Sequence, residues 1–342
     1  MNTHRFFLGS YFAIFLIVVI GAFWVSQNSP ENPDDGSLVP LTLALDWTPN
    51  TNHTGLYVAL HEKWYEEDGI ALIVLPYGSV SPDVLVGAGK ADLGISSTEA
   101  VVASSAAGTP VISVAAIIAH NTSSLVVRKD SGITGPSELD GKIYGGYGAS
   151  YEEAVIGAII KKDGGKGVFK NVVLDVDAFE ALRAKRIDFT WIFDAWQGIQ
   201  AKREGFLLTS FPIREYGIPD YSTPNIITSP ETLEKKKELL RKFIRATARG
   251  YEYARTHPRE SAQMLIDTAS PGTFPDQALV FESQEYLSPL YADSGKPWGV
   301  QEKDSWRDYP AFMVDSKSVF DTSGVFVGEI DFDSLYTNEL FE

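Results

Sequence analysis

The feature that most constrains the fold of this chain is a repeated alternation of short apolar strands with helices. The first unit is residues 41–60, LTLALDWTPNTNHTGLYVAL, a strand that ends in a polar turn and leads into a helix over residues 55–65. Strands that alternate with helices every few tens of residues predict an α/β fold with parallel, doubly wound sheets. The same set continues with strands over 70–76, 92–97 and 111–118, a helix over 81–90, and a helix that starts at Glu99 with Thr98 as its cap.

The pattern restarts after a polar loop at residues 132–141. At 342 residues and 44% hydrophobic, the chain exceeds what one core usually holds, so two lobes are expected. The predicted lobes are residues 40–126 with 223–342, and residues 127–222. The second set has strands over 123–129, 142–150, 172–176 and 189–193 and helices over 151–162 and 178–185; a strand over 223–229 then leads back to the first set, and a long amphipathic helix follows over 231–257.

The amino terminus predicts attachment to a membrane. Residues 6–25 carry no charged side chain, which is about the length that a helix needs to cross a bilayer. Arg5 precedes this run and Glu31 follows it, which places the body of the protein outside the cytoplasm. We predict an uncleaved transmembrane helix within residues 1–27 and a flexible tether over 28–39. A cleaved signal peptide, with a secreted or periplasmic product, is the alternative.

Charge and composition exclude several classes of function. The formal charge of −16 argues against a nucleic-acid partner, because phosphate binding needs a basic surface. The absence of cysteine excludes disulfides, thiolate metal sites and a cysteine nucleophile. His53 and His120 are expected to be hydrogen-bonded structural residues. We predict no metal site, no cofactor and no catalytic triad, and we expect that the protein is not an enzyme.

Candidate ligand-binding residues follow the strands of the first set. Ligands bind beyond the carboxyl ends of strands in open α/β sheets. Asp46, Trp47 and Asn50 come directly after the first strand, and the small polar Ser97 ends the third. An ordinary turn with a half-buried Trp is the alternative for the first group.

A glycine-rich turn, KIYGGYGASYEE, lies between a strand and a helix in the second set. Gly146 and Gly148 allow the backbone to approach a ligand, and the helix start offers free N–H groups to an oxygen. Glu152 is expected to point into the cleft. The alternative is a tight turn in which Ser150 caps the helix and Glu153 completes a capping box.

Aromatic residues crowd the end of the last strand of the second set, in DFTWIFDAWQG. Trp191 and Trp196 can stack on a planar ligand, although one of them can equally be core. Asp194 can accept two N–H bonds, and its alternative role is to cap the next helix. Tyr221, on the predicted return between lobes, is a further stacking candidate.

With these motifs, and with ADLGISSTEAV, the chain resembles the extracytoplasmic solute-binding proteins of ABC importers over residues 40–342. The subgroup is the one shared with thiamin-pyrimidine synthases. The resemblance implies the two-lobed periplasmic-binding-protein fold of type II. It implies a small planar heteroaromatic ligand, formylaminopyrimidine or, alternatively, riboflavin. The implied partners are an ABC permease and its ATPase.

The resemblance also implies a mechanism and two less favoured functions. Trp47 would stack on the ring opposite one of the aromatic residues named above, Asp194 or Glu152 would accept its N–H bonds, and the glycine turn would hold an oxygen. The related synthases carry Lys where Ser96 stands, His where Ala100 stands, and a cysteine-rich run, so a synthase is disfavoured. A sulfonate or nitrate importer would need a basic residue in the cleft, and none of the candidate binding residues is basic.

Overall fold

A computed structural model describes residues 37–174 and 178–342. Residues 40–342 form one compact unit. The predicted membrane helix at residues 6–25 and nearly all of the tether lie outside the described residues. Within the described ranges, no helix has the length and apolar character to span a membrane.

Two mixed sheets of five strands each form the centre of this unit. The first sheet has the order β2-β1-β3-β10-β4 and the second has the order β7-β6-β8-β5-β9. The strands are β1 Val39–Ala44, β2 Ile70–Leu75, β3 Leu93–Ser96, β4 Ile112–Ala116, β5 Ser123–Arg128, β6 Ile143–Gly146, β7 Lys170–Val173, β8 Phe189–Phe193, β9 Leu208–Pro212 and β10 Asn225–Thr228.

Helices follow most strands and cover the sheets. They are α1 Thr54–His61, α2 Trp64–Glu67, α3 Pro82–Gly87, α4 Thr98–Ala106, α5 Glu152–Lys162, α6 Ala178–Arg183, α7 Ile199–Arg203, α8 Pro230–Lys235, α9 Lys237–Thr256, α10 Pro258–Thr268, α11 Gln277–Leu287 and α12 Lys303–Asp315.

The prediction of purely parallel sheets is wrong for two strands. β1 pairs in parallel with β3, and β6 pairs in parallel with β7 and β8. In contrast, β10 runs antiparallel to β3 and β4, and β5 runs antiparallel to β8 and β9. β5 and β10 are the strands by which the chain enters each sheet from the other one, so they arrive from the opposite direction.

The chain passes between the sheets twice, over residues 117–122 and over residues 213–224. The predicted lobe boundary at residues 126 and 127 falls inside β5, so the change of sheet comes earlier than predicted. The lobe assignment itself stays a prediction.

Three helix boundaries also differ from the predictions. The helix predicted over residues 55–65 is broken at Lys63, which has a left-handed φ of 61° and separates α1 from α2. The long helix predicted over 231–257 is interrupted at Lys236. Ser97, not Thr98, caps α4, because the Ser97 hydroxyl accepts the N–H of Ala100 at 3.1 Å.

Candidate functional site

The loop after β1 is ordered by a buried histidine. The Nδ1 of His53 accepts the Asn50 N–H at 3.2 Å, so its Nε2 carries the proton and donates to Asp46 Oδ1 at 2.9 Å. Asn50 caps the next turn by accepting the Asn52 N–H at 2.8 Å. The Asn50 side chain therefore orders the loop, while the Asp46 side chain remains 31% exposed.

Trp47 presents a flat apolar surface at the end of β1. Its side chain is 45% exposed, and its ring lies 4.7 Å, centroid to centroid, from the ring of Tyr77, which is 46% exposed. Tyr77 follows β2, the neighbour of β1 in the sheet. Sequence analysis missed Tyr77, although its position just after a strand was the available signal. Two exposed rings at adjacent strand ends form a surface suited to a planar ligand.

The glycine turn after β6 differs from its prediction. Glu152 is fully buried and accepts the Tyr144 hydroxyl at 2.6 Å, the Gly148 N–H at 2.7 Å and the Ala149 N–H at 2.9 Å. The backbone donors expected to face a ligand are therefore used inside the protein. Glu152 does not point into a cleft, because its two oxygens hold this turn.

Glycines are nevertheless required in the turn. Gly148 has a φ of +84°, which L-residues rarely adopt, and Gly146 is buried at the end of β6. The predicted capping box is wrong. α5 has no side-chain cap, and the Ser150 hydroxyl donates to the Ser318 carbonyl at 3.2 Å instead.

The end of β8 continues into a π-helical turn, Asp194–Gly198. The Asp194 carboxylate accepts the Ser124 hydroxyl at 3.0 Å and does not cap this helix, so the capping alternative is wrong. Burial outweighs that hydrogen bond and raises the pKa of Asp194 to about 6. Asp194 is thus a carboxylate that is poorly solvated, next to a helical irregularity of a kind common at functional sites.

The two tryptophans near this turn have different surroundings. Trp191 is 9% exposed and belongs to the core, where its ring meets the edge of Tyr151 at 6.4 Å. Trp196 is half-buried beside Phe274, at 6.4 Å between ring centroids. The expectation that one of the two indoles is core is met by Trp191.

Tyr221 is not an open stacking surface, which corrects its predicted role. It is fully buried and stacks on Tyr309 with 3.7 Å between ring centroids. Its hydroxyl donates a short hydrogen bond to Glu99, in the first turn of α4. Neither Glu99 nor Tyr309 was selected from the sequence, because no local motif indicates that residues so far apart in the chain meet.

The two passages between the sheets meet at a histidine whose two ring nitrogens are both hydrogen-bonded. Nδ1 of His120 lies 2.6 Å from Asp220, and its Nε2 lies 2.8 Å from Asp293. The hydrogen bond to Asp220, and then the one to Asp293, raises the pKa of His120 to about 9 against partial burial. Burial alone would raise the pKa of Asp220, but His120 and Arg214 outweigh it and lower that pKa.

A cavity of about 260 Å³ lies beside this histidine and is lined by Asp220, Asp293, Lys296 and Glu302 among others. Its lining contains none of the predicted site residues. In the described part of the chain, no group of three or more His, Asp or Glu side chains is arranged to hold a metal ion.

Comparison with known proteins agrees with this architecture. A family profile described as NMT1/THI5 like matches residues 50–261. A formylaminopyrimidine-binding protein from Halalkalibacterium halodurans is 27% identical over 310 residues, which cover 88% of this chain and 93% of that protein. A 4-amino-5-hydroxymethyl-2-methylpyrimidine phosphate synthase from Legionella pneumophila subsp. pneumophila is 27% identical over 230 residues, 66% of this chain and 72% of that protein.

A solved structure shows the same fold. The ligand-binding component of an ABC-type import system from Staphylococcus aureus superposes with a TM-score of 0.65 at 13% identity. The match covers 88% of this chain and 97% of that one. The fold of residues 40–342 is therefore the two-sheet α/β fold of the periplasmic binding proteins.

Proposed function

This chain belongs to the NMT1/THI5-like family, and from that premise we propose that it is the substrate-binding component of an ABC importer. We propose further that it captures a planar nitrogen heterocycle related to the thiamin pyrimidine, formylaminopyrimidine, and releases it unaltered. The resemblance inferred from the sequence motifs is confirmed, since both a binding protein and synthases of this family match the chain.

The observation that carries the proposal is the extent of the match to the formylaminopyrimidine-binding protein. That match spans 93% of the relative, whereas the synthase match stops at 72% of its relative. The positions that distinguish synthases also have structural roles here. Ser96 donates to Asp83 at 2.8 Å, and the Ala100 N–H is bound by the cap of α4. Serine at position 96 and alanine at position 100, where the synthases carry lysine and histidine, support a binding protein rather than a synthase.

We place the ligand where strand ends of both sheets carry rings and carboxylates. Trp47 and Tyr77 form the stacking surface of the first sheet, with Asp46 and Ser97 beside the same strand ends. From the second sheet, Asp194 and Trp196 contribute a poorly solvated carboxylate and a half-buried indole. Gly146 and Gly148 shape the turn behind them. Glu152 and Tyr221 support the site from inside the protein rather than touching the ligand.

The remaining predictions extend this function to its setting. The binding unit acts outside the cytoplasm and delivers its ligand to a permease and its ATPase. Residues 1–27 anchor it to the membrane through the tether at 28–39. The two lobes, 40–126 with 223–342 and 127–222, close on the ligand by motion of the two connecting passages.

Calorimetric titration of the purified protein with formylaminopyrimidine tests this function. We expect the wild type to bind. The Trp47→Ala variant should lose about 1–3 kcal/mol of binding free energy, the scale for a lost aromatic stack. Trp47→Phe is the matched control, since it keeps a flat ring and should retain most of the affinity. A yellow protein that releases riboflavin and ignores the pyrimidine would overturn the choice of ligand.

A further inference from the structure

Three buried polar atoms have no hydrogen-bond partner among the described residues where the two sheets meet. They are Oε2 of Glu99, Nε1 of Trp191 and the hydroxyl of Tyr309. The three residues are 5%, 9% and 0% exposed. An unpaired buried donor or acceptor is costly, and such groups mark strain or a polar ligand.

These atoms belong to one cluster. Glu99 uses its other oxygen to accept the Tyr221 hydroxyl, and the Tyr221 ring stacks on Tyr309. The Tyr309 hydroxyl has no hydrogen-bond partner among the described residues. On the other side, Trp191 meets Tyr151 edge to face. Glu99 comes from the first sheet's α4, Trp191 from β8 of the second sheet, and Tyr309 from α12.

Trp191, Tyr221 and Tyr309 also pack in the same hydrophobic core. Burial, and in addition the carboxylate of Glu99, raises the pKa of Tyr309. Burial also raises the pKa of Glu99 itself, against the hydrogen bond from Tyr221. Tyr147 is 52% exposed, so the cluster reaches solvent at its ring.

We propose that Glu99, Trp191 and Tyr309 form the polar end of the ligand site and recognise the amino-substituted edge of a nitrogen heterocycle. This inference rests on the function proposed above and names the groups that select the ring. A carboxylate oxygen accepts from the exocyclic amine, and the indole N–H, which can only donate, binds the lone pair of the neighbouring ring nitrogen. The Tyr309 hydroxyl can accept a hydrogen bond from the amine or donate one to the ring nitrogen.

This arrangement selects against a ring in which a carbonyl replaces the amine. The carbonyl would face the Glu99 carboxylate, which has no proton to give when ionised, and a buried acceptor would remain unpaired. Glutamine at position 99 keeps the shape and the oxygen that binds Tyr221 but adds an amide donor. The Glu99→Gln change should therefore reduce the preference for the amino-substituted ring.

The test is calorimetric titration of the full chain with formylaminopyrimidine and with its 4-oxo analogue. We expect Glu99→Gln to bind the amino compound about 10- to 100-fold more weakly, the range for a lost hydrogen bond to a charged group, and to bind the oxo analogue more tightly than wild type does. Tyr309→Phe removes only the unpaired hydroxyl, so it should weaken binding without lowering the melting temperature. Glu234→Gln, on the exposed face of α8, is the matched control and should leave the affinity for both compounds unchanged.

The outcomes separate the two levels of the proposal. If the wild type binds neither pyrimidine, the proposed function fails. If the wild type binds the amino compound and both Glu99→Gln and Tyr309→Phe bind it with the wild-type affinity, the function stands and this inference is overturned. Trp191→Phe is an independent test. Loss of the indole N–H should weaken binding of the amino compound, while the aromatic ring stays in the core.

Discussion

At the scale of single residues, Glu152 shows how a side chain that looks functional can be structural. Its two oxygens accept one tyrosine hydroxyl and backbone N–H groups of the glycine turn. Glu153, the next residue, is exposed, and its carboxylate accepts a hydrogen bond from the side-chain amide of Asn171 at 3.1 Å. The two neighbours share a sequence context and differ only in the face of α5 that they occupy.

Replacing Glu152 by alanine should lower the free energy of unfolding by about 3–4 kcal/mol, because it removes a charged acceptor from the buried Tyr144 hydroxyl and from two partly buried backbone N–H groups. The matched Glu153→Ala change should cost no more than about 0.5 kcal/mol. Urea denaturation followed by circular dichroism measures both. Equal, small losses in the two variants would mean that water replaces the carboxylate and that the turn does not depend on it.

At the scale of elements, α1 and α9 make a close contact beside the first sheet. A Cβ on Gly250 would overlap the carbonyl oxygen of Gly55, and one on Gly55 would overlap the ring of Tyr251. The helices approach so closely because neither glycine has a side chain. This contact holds the helix after β1, and so the loop that carries Trp47, against α9.

Gly250→Ala should therefore destabilise the protein by about 1–3 kcal/mol through overpacking, although alanine is the better helix former. Gly157→Ala in α5 is the matched control, since its new Cβ would meet only the Gly167 carbonyl, at 3.4 Å. That change should be neutral or stabilise by up to about 1 kcal/mol. Thermal unfolding of both variants measures the difference, and a stabilised Gly250→Ala would show that α9 can move away.

Elements were predictable from the sequence to the extent that their cause is local. Apolar runs and alternation identified strands such as β1, β2 and β8, since a strand repeats its pattern over a few residues. The antiparallel insertion of β5 and β10 was not predictable, because strand direction depends on where the chain has been. The same holds for the site: Trp47 and Asp194 follow strand ends in the sequence, whereas the meeting of Tyr221 with Glu99 does not appear there.

At the scale of the whole molecule, the two passages between the sheets are tied together by one side chain. His120 lies on the first passage, Asp220 on the second, and Asp293 follows α11. Arg214 also pairs with Asp220, and Lys296 also pairs with Asp293. The partners of His120 are 100 and 173 residues away in the chain, so no sequence motif could have revealed these hydrogen bonds.

The hydrogen bonds of His120 should make the free energy of unfolding depend on pH in a defined direction. The folded pKa of His120, about 9, lies above its ordinary value of 6.5, so the folded state binds the proton more tightly than the unfolded state does. Its contribution is therefore complete below pH 6.5 and is lost as the pH rises through about 9. His120 is partly exposed, so solvent screening reduces that contribution to about 1 kcal/mol.

Urea denaturation of wild type and His120→Gln from pH 6 to pH 10 measures this contribution. We expect the wild type to be more stable by about 1 kcal/mol at pH 6 and the difference to vanish near pH 10. His61→Gln is the control, because His61 forms an exposed pair with Glu62 and should give a small difference at every pH. A His120→Gln difference that stays constant to pH 10 would mean that the imidazole acts through packing alone, and that its charge does not join the two passages.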